Sequence, residues 1–109
     1  MAEIKVLCGA SRSAEKYYFN QEFSNLPESV QEELRTICVL FTADIGGTLL
    51  MVFGAEGDLE LQTVKDEDDF DYDEIGAEYK IRRIQKEHED LFGQLEAYYA
   101  AFFLNKGEV

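Results

Sequence analysis

Thr48-Leu49-Leu50-Met51-Val52-Phe53-Gly54-Ala55-Glu56-Gly57-Asp58-Leu59-Glu60-Leu61-Gln62-Thr63-Val64 is the stretch that decides the fold class. Two apolar-rich runs flank a connection containing Gly54 and Gly57, the composition of a β-hairpin. The second run, Leu59 to Val64, alternates apolar and polar residues, as a strand does when one face meets solvent. The first, Thr48 to Phe53, is apolar on both faces and belongs inside a sheet.

On the N-terminal side, Val30, Leu34, Ile37, Cys38 and Phe41 recur at spacings of three and four. That period describes one apolar face of a helix ending near Asp44. Pro27 suits its first turn, where a missing N–H costs nothing. Gly46 or Gly47 supplies the left-handed residue that ends it. Ile37-Cys38-Val39-Leu40-Phe41 also reads as a buried strand, but Gln31, Glu32, Glu33 and Arg35 fill the opposite face and favour helix. Earlier still, Ile4-Lys5-Val6-Leu7-Cys8 and Lys16-Tyr17-Tyr18-Phe19 are short β-prone runs on either side of the turn-like segment Gly9 to Glu15. They predict another hairpin. Tyr17 and Tyr18 then point to opposite faces, so at most one belongs to the core. Asn20 to Asn25 reads as a connection, with Phe23 and Leu26 as anchors.

On the C-terminal side, Ala77, Ile81, Ile84, His88, Leu91, Leu95, Tyr98 and Phe102 form a heptad-like seam, widened by Phe92, Tyr99 and Phe103. One helix from Asp71 to about Leu104 is expected. Asp71 would cap it, Glu74 would complete a capping box, and Phe70 with Ile75 would form a hydrophobic staple. Glu78 with Arg82, Arg83 with Glu87, and Lys86 with Asp90 are i,i+4 pairs for its outer surface. The resulting order, β-β-α-β-β-α, predicts an α+β fold: an antiparallel sheet with helices on one face and a long C-terminal helix. Residues 1–109 fit a single domain.

Composition narrows function mainly by exclusion. The chain has 10 basic against 23 acidic residues, a formal net charge of −13. Nucleic-acid binders neutralise phosphates with clustered Lys and Arg, so neither direct nucleic-acid binding nor attachment to an anionic membrane is expected. With 46% hydrophobic residues, including 8 Phe and 6 Tyr, the chain has the material for a folded core. No apolar run reaches the roughly 20 residues that span a bilayer, and Met1 to Ala10 shows no secretory signal, so a cytoplasmic location is expected. Cys8 and Cys38 read as buried free thiols. With His88 as the lone histidine, the Cys/His set of a structural zinc site is missing.

Four features invite a functional reading. Asp44-Ile45-Gly46-Gly47-Thr48, followed by an apolar strand and Gly57-Asp58, resembles the first phosphate-binding turn of actin-like ATPases and sugar kinases. A helix before Asp44 would remove the strand-turn-strand context that turn needs, leaving a helix cap. Asp66 to Glu74 holds seven acidic residues in nine. Asp69, Asp71 and Asp73 alternate like the opening of an EF-hand loop, but Glu74 stands where its glycine belongs and Lys80 where its bidentate glutamate belongs. Asp66, Glu67, Asp68 and Asp69 are therefore read as a candidate patch for a basic protein partner, alongside plain solvation. His88 lies on the apolar seam with no nucleophile at recognisable spacing and reads as structural. Lastly, Leu95, Tyr98, Tyr99, Phe102 and Phe103 are a candidate dimer interface. Thirty residues of helix span roughly 45 Å, against a radius of gyration of about 13 Å for a domain this size, so the aromatic end should overhang the sheet.

Cys8-Gly9-Ala10, Lys16-Tyr17-Tyr18-Phe19-Asn20, Leu26-Pro27, Cys38-Val39-Leu40-Phe41-Thr42, Gly46-Gly47, Tyr72-Asp73-Glu74-Ile75-Gly76 and Tyr98-Tyr99 resemble, over nearly the whole chain, a family of small uncharacterised bacterial proteins. The resemblance implies a bacterial cytoplasmic origin and brings no activity, ligand or catalytic residue with it. The leading expectation is a non-enzymatic interaction domain that forms a homodimer and needs no cofactor. The rivals are an acidic adaptor, chaperone or nucleic-acid mimic that occupies a basic partner, and a metal-dependent module centred on Asp69, Asp71 and Asp73.

Overall fold

The computed structural model describes residues 4–65 and 72–104. Strands β1 (Lys5–Ser11) and β2 (Lys16–Phe19) form the first hairpin, helix α1 (Glu28–Ile45) follows, and β3 (Thr48–Phe53) and β4 (Leu59–Val64) form the second. Helices α2 (Glu74–Glu87) and α3 (Glu89–Tyr99) come last, and α3 runs on into a wider π-helical turn, Ala100–Leu104. All four strands pair antiparallel in the order β2-β1-β3-β4. The two hairpins thus lie side by side, joined through β1 and β3, with the α-helices on one face. The fold is α+β in the expected order, and β3, apolar on both faces, is an interior strand.

The register sorts the strands into a covered and an open face. Cys8 opposes Met51 and Phe19, and Ala10 opposes Leu49 and Tyr17. With Phe53, these residues meet Leu34, Ile37, Cys38, Phe41 and Ile45 of α1 in one core. Val39 and Leu40 of α1 are exposed. The helical period therefore prevails over the continuous apolar run that also read as a strand.

β1 is longer than the sequence suggested, because Gly9 is a strand residue rather than the start of a turn. It sits between Tyr18 and Leu50. A Cβ there would come 2.5 Å from Leu50 Cδ2 and 2.9 Å from the Leu49 carbonyl oxygen. Close approach of strands, not backbone reversal, is what that glycine serves. The turn itself is Arg12 to Glu15, closed by the Glu15 N–H donating to the Arg12 carbonyl at 3.2 Å. At the end of α1 the expected glycine cap is present: Gly46 has φ 96° and Gly47 φ 69°, and the Gly46 N–H donates to the Thr42 carbonyl at 2.9 Å.

The C-terminal helix departs from expectation at three points. Its cap is Asp73, whose carboxylate accepts the Gly76 N–H at 2.9 Å, while Asp71 and Phe70 lie outside the described residues. Ile75 is 84% exposed, so it makes no staple. Moreover, the helix breaks at His88, whose φ of −116° and ψ of 26° leave the helical region. Glu78–Arg82 and Arg83–Glu87 pair on α2 as expected, at 3.9 and 3.0 Å, but Lys86 and Asp90 straddle the break and do not. Beyond it the buried positions are Phe92, Leu95 and Tyr99. The expected seam has rotated by one residue, from Tyr98 and Phe102 to Tyr99 and Phe103.

Candidate functional site

Asp66, Glu67, Asp68 and Asp69, the candidate acidic patch, lie outside the described residues, as does Asp71. Among the described residues no group of three or more His, Cys, Asp or Glu could hold a metal ion, and Asp73 is committed to the α2 cap. The Asp44–Thr48 segment joins a helix to a strand and does not form a phosphate-binding turn. Asp44 pairs with Lys80 at 2.6 Å, and a Cβ on Gly47 would meet the Val64 carbonyl oxygen at 2.5 Å.

His88 tethers helices. Its Nδ1 lies 3.2 Å from the Glu33 carboxylate, and its ring stands 6.0 Å from Phe92. Together with Asp44–Lys80 it fastens α1 to the α2–α3 unit at both ends of an antiparallel helix pair. No helix among the described residues is long and apolar enough to cross a membrane.

Beyond the break at His88 the aromatic end packs on the sheet. Tyr99 stacks on Phe53 with centroids 4.1 Å apart and rings 5° from parallel. Phe103 stacks on Tyr99 at 5.1 Å and lies 4.9 Å from Phe23. Leu95 and Tyr99 are 2% and 5% exposed, so these two of the five candidate interface residues belong to the chain's own core. Tyr98 and Phe103 are half-buried. Phe102, 4.7 Å from Tyr98, is 69% exposed, and Leu104 is 42% exposed. Exposed Ile4 precedes Lys5, whose ammonium sits 5.4 Å over the Phe103 ring. Leu104 packs toward Gly57 in the β3–β4 turn. The chain's exposed aromatic end is therefore Phe102 and Leu104, with Ile4 nearby.

Beneath α1 lies a buried polar cluster that spacing alone did not reveal. The Cys8 and Cys38 sulfurs stand 3.8 Å apart, both thiols free and fully enclosed. The Tyr17 hydroxyl is enclosed with no hydrogen-bond partner of ordinary geometry. Burial and the neighbouring Cys8 push its pKa well above the usual phenol range, while Arg35 opposes that shift. Cys38 is likewise pushed far up, first by its contact with the Cys8 thiol and then by burial. Both groups stay neutral at physiological pH, so neither is an activated nucleophile.

Beside this cluster a cleft of about 460 Å³ opens between one flank of α1 and the turn of the first hairpin. Tyr17 and Val39 form apolar walls, and Arg12, Lys16 and Arg35 line it together with Glu15. Among the described residues no carboxylate lies within ion-pair distance of those three cations, whereas Lys5, Lys80, Arg82 and Arg83 are all paired. Sequence spacing carries little sign of this, because Arg35 joins the other two only when α1 packs across β1 and β2. Glu15 holds the turn in a left-handed conformation, φ 53°, which is rare for a residue other than glycine.

No curated protein and no solved structure matches the chain. A family model described as a family of unknown function matches residues 4–107. That span covers every described element from the first hairpin to the aromatic end, and the chain belongs to this family, DUF6145.

Proposed function

We propose that this protein is a non-enzymatic interaction domain that pairs with a second copy of itself through the aromatic end of its C-terminal helix, in a bacterial cytoplasm. The observation that carries this reading is the run Ala97-Tyr98-Tyr99-Ala100-Ala101-Phe102-Phe103-Leu104, which contains no charged side chain in a molecule of net charge −13. Its outward members are exposed apolar residues, Phe102 at 69% and Leu104 at 42%. Two strongly acidic copies repel each other. An uncharged apolar end is where they can meet with the least repulsion and the most apolar burial, and a two-fold pairing is the common way to close such a contact. Phe102 would supply a buried aromatic anchor.

Sedimentation velocity over a range of salt tests this. A dimer at tens of micromolar that strengthens as salt screens the repulsion, and that Phe102→Asp converts to a monomer that still unfolds cooperatively, is the expected result. A wild-type monomer at high protein and high salt would refute self-association. Docking of a basic partner on the acidic surface predicts the opposite salt dependence, because screening weakens attraction between unlike charges.

A further inference from the structure

We propose that the cleft between α1 and the β1–β2 turn is a binding site for a small phosphorylated anion, held by Arg12, Lys16 and Arg35. Carboxylates outnumber cations 23 to 10 in this chain, yet the cleft reverses that ratio, with three cations and the single carboxylate of Glu15. Gathering like charges in a concavity opposes folding, and in so acidic a chain nearby carboxylates would be the simplest remedy. Lys5, Lys80, Arg82 and Arg83 receive one. Among the described residues Arg12, Lys16 and Arg35 do not, and neither do Lys65 and Lys86, but these three line one cleft, so their combined charge remains available to an anion from outside.

The chemistry of the donors selects the anion. Two guanidinium groups present planar forks that match tetrahedral oxyanions, and an ammonium adds a point charge. Of the nearby hydroxyls, Thr42 donates to the Cys38 and Val39 carbonyls at 3.2 Å, Ser11 accepts the Ala14 N–H at 3.3 Å and faces the Ser13 hydroxyl at 3.4 Å, and that of Tyr17 is enclosed. Recognition therefore falls to the cations, which suits a multiply charged phosphoryl group. The cleft volume falls within the roughly 300–1,000 Å³ of small-molecule pockets. The Tyr17 ring and Val39 give a phosphoester's organic part an apolar surface.

The overall negative charge does not forbid this. At physiological ionic strength the Debye length is about 8 Å, so carboxylates farther away are largely screened while the three lining cations act at contact range. Glu15, at the same short range, opposes binding.

Calorimetry with pyrophosphate, at ionic strength fixed with sodium chloride and without divalent metal, tests the assignment. Binding is expected, weakened about threefold or more by Arg12→Gln or Arg35→Gln, abolished by the triple change with Lys16→Gln, and tightened by Glu15→Gln. All four side chains are exposed, so the variants keep the wild-type fold, which thermal melts verify. Amide shifts on titration should be confined to residues 10–17 and 35–43. Tighter binding of phenyl phosphate than of inorganic phosphate identifies an organic phosphoester as the ligand class, and equal binding identifies free phosphate. Absence of binding at millimolar pyrophosphate, or equal affinity in the triple variant, overturns the proposal. Preference for an oligoglutamate peptide over pyrophosphate also overturns it, in favour of an acidic protein partner.

Discussion

The Glu96 carboxylate of α3 accepts the backbone N–H of Leu59 at 2.8 Å, across the gap between the C-terminal helix and the first residue of β4. It satisfies a partly buried donor at the start of the strand and fixes where the aromatic end meets the sheet. Hydrogen bonds to a charged acceptor contribute about 1.5–3 kcal/mol. Glu96→Ala should therefore destabilise the protein by about that amount in urea unfolding. Glu96→Gln, whose amide oxygen still accepts, should recover most of the loss. Equal losses in both variants would mean that side-chain packing, not the hydrogen bond, is what Glu96 provides.

At the end of the acidic segment before α2, Asp73 caps the helix. Asp73→Ala should cost about 0.5–2 kcal/mol, because the Gly76 N–H loses its partner. Neutralising Asp66, Glu67, Asp68 and Asp69 together should leave the melting temperature unchanged or raise it through relief of like-charge repulsion. Thermal melts of the two variants separate these roles.

Two glycines should respond to alanine in opposite directions. Gly9 lies in the sheet, with Leu50 Cδ2 2.5 Å from where a Cβ would stand, and overpacking of this kind costs about 1–3 kcal/mol. Gly93 lies in α3 with nothing within 4 Å of that position. Gly93→Ala should stabilise by about 0.4–1 kcal/mol, through helix propensity and a less flexible unfolded chain. Chemical denaturation of the pair provides the comparison.

Alkaline pH should unfold the protein through its buried polar cluster. Cys38 is raised from an ordinary 9.0 by the Cys8 contact and by burial. Tyr17 is raised from an ordinary 10.0 by burial and by Cys8. When both states are protonated, below about pH 9, these groups leave stability independent of pH. Above it the unfolded chain releases protons that the folded chain retains, so the unfolded state gains and stability falls as pH rises. Stability measured from pH 8 to 11 should decline, and Tyr17→Phe or Cys38→Ala should make the decline shallower. An identical slope in both variants would assign the loss to other groups.

Much of this architecture was legible in local pattern, for a physical reason. The period of α1, the alternation of β4 and the glycines at 46 and 47 are consequences of backbone geometry that a few neighbouring residues determine. They located α1, β3 and β4 to within about a residue or two of their observed bounds. Phe23 and Leu26 anchor the core as their apolar character suggested, and Tyr17 rather than Tyr18 faces it.

What only the tertiary structure decided depends on distant partners. Gly9 looked like a turn residue because its constraint, the approach of Leu50, comes from a strand some forty residues away. The C-terminal period ran unbroken through His88, yet docking on the sheet and the contact with Glu33 accompany a break there. Beyond it Tyr99 lies in the core and Phe102 outside. The cationic cleft was beyond sequence reading for the same reason: Arg12 and Lys16 flank one turn, but Arg35 reaches them only once α1 lies across the hairpin. Periodicity records which face of an element is apolar. Which surfaces meet, and which charges are left facing one another, is settled by packing between elements.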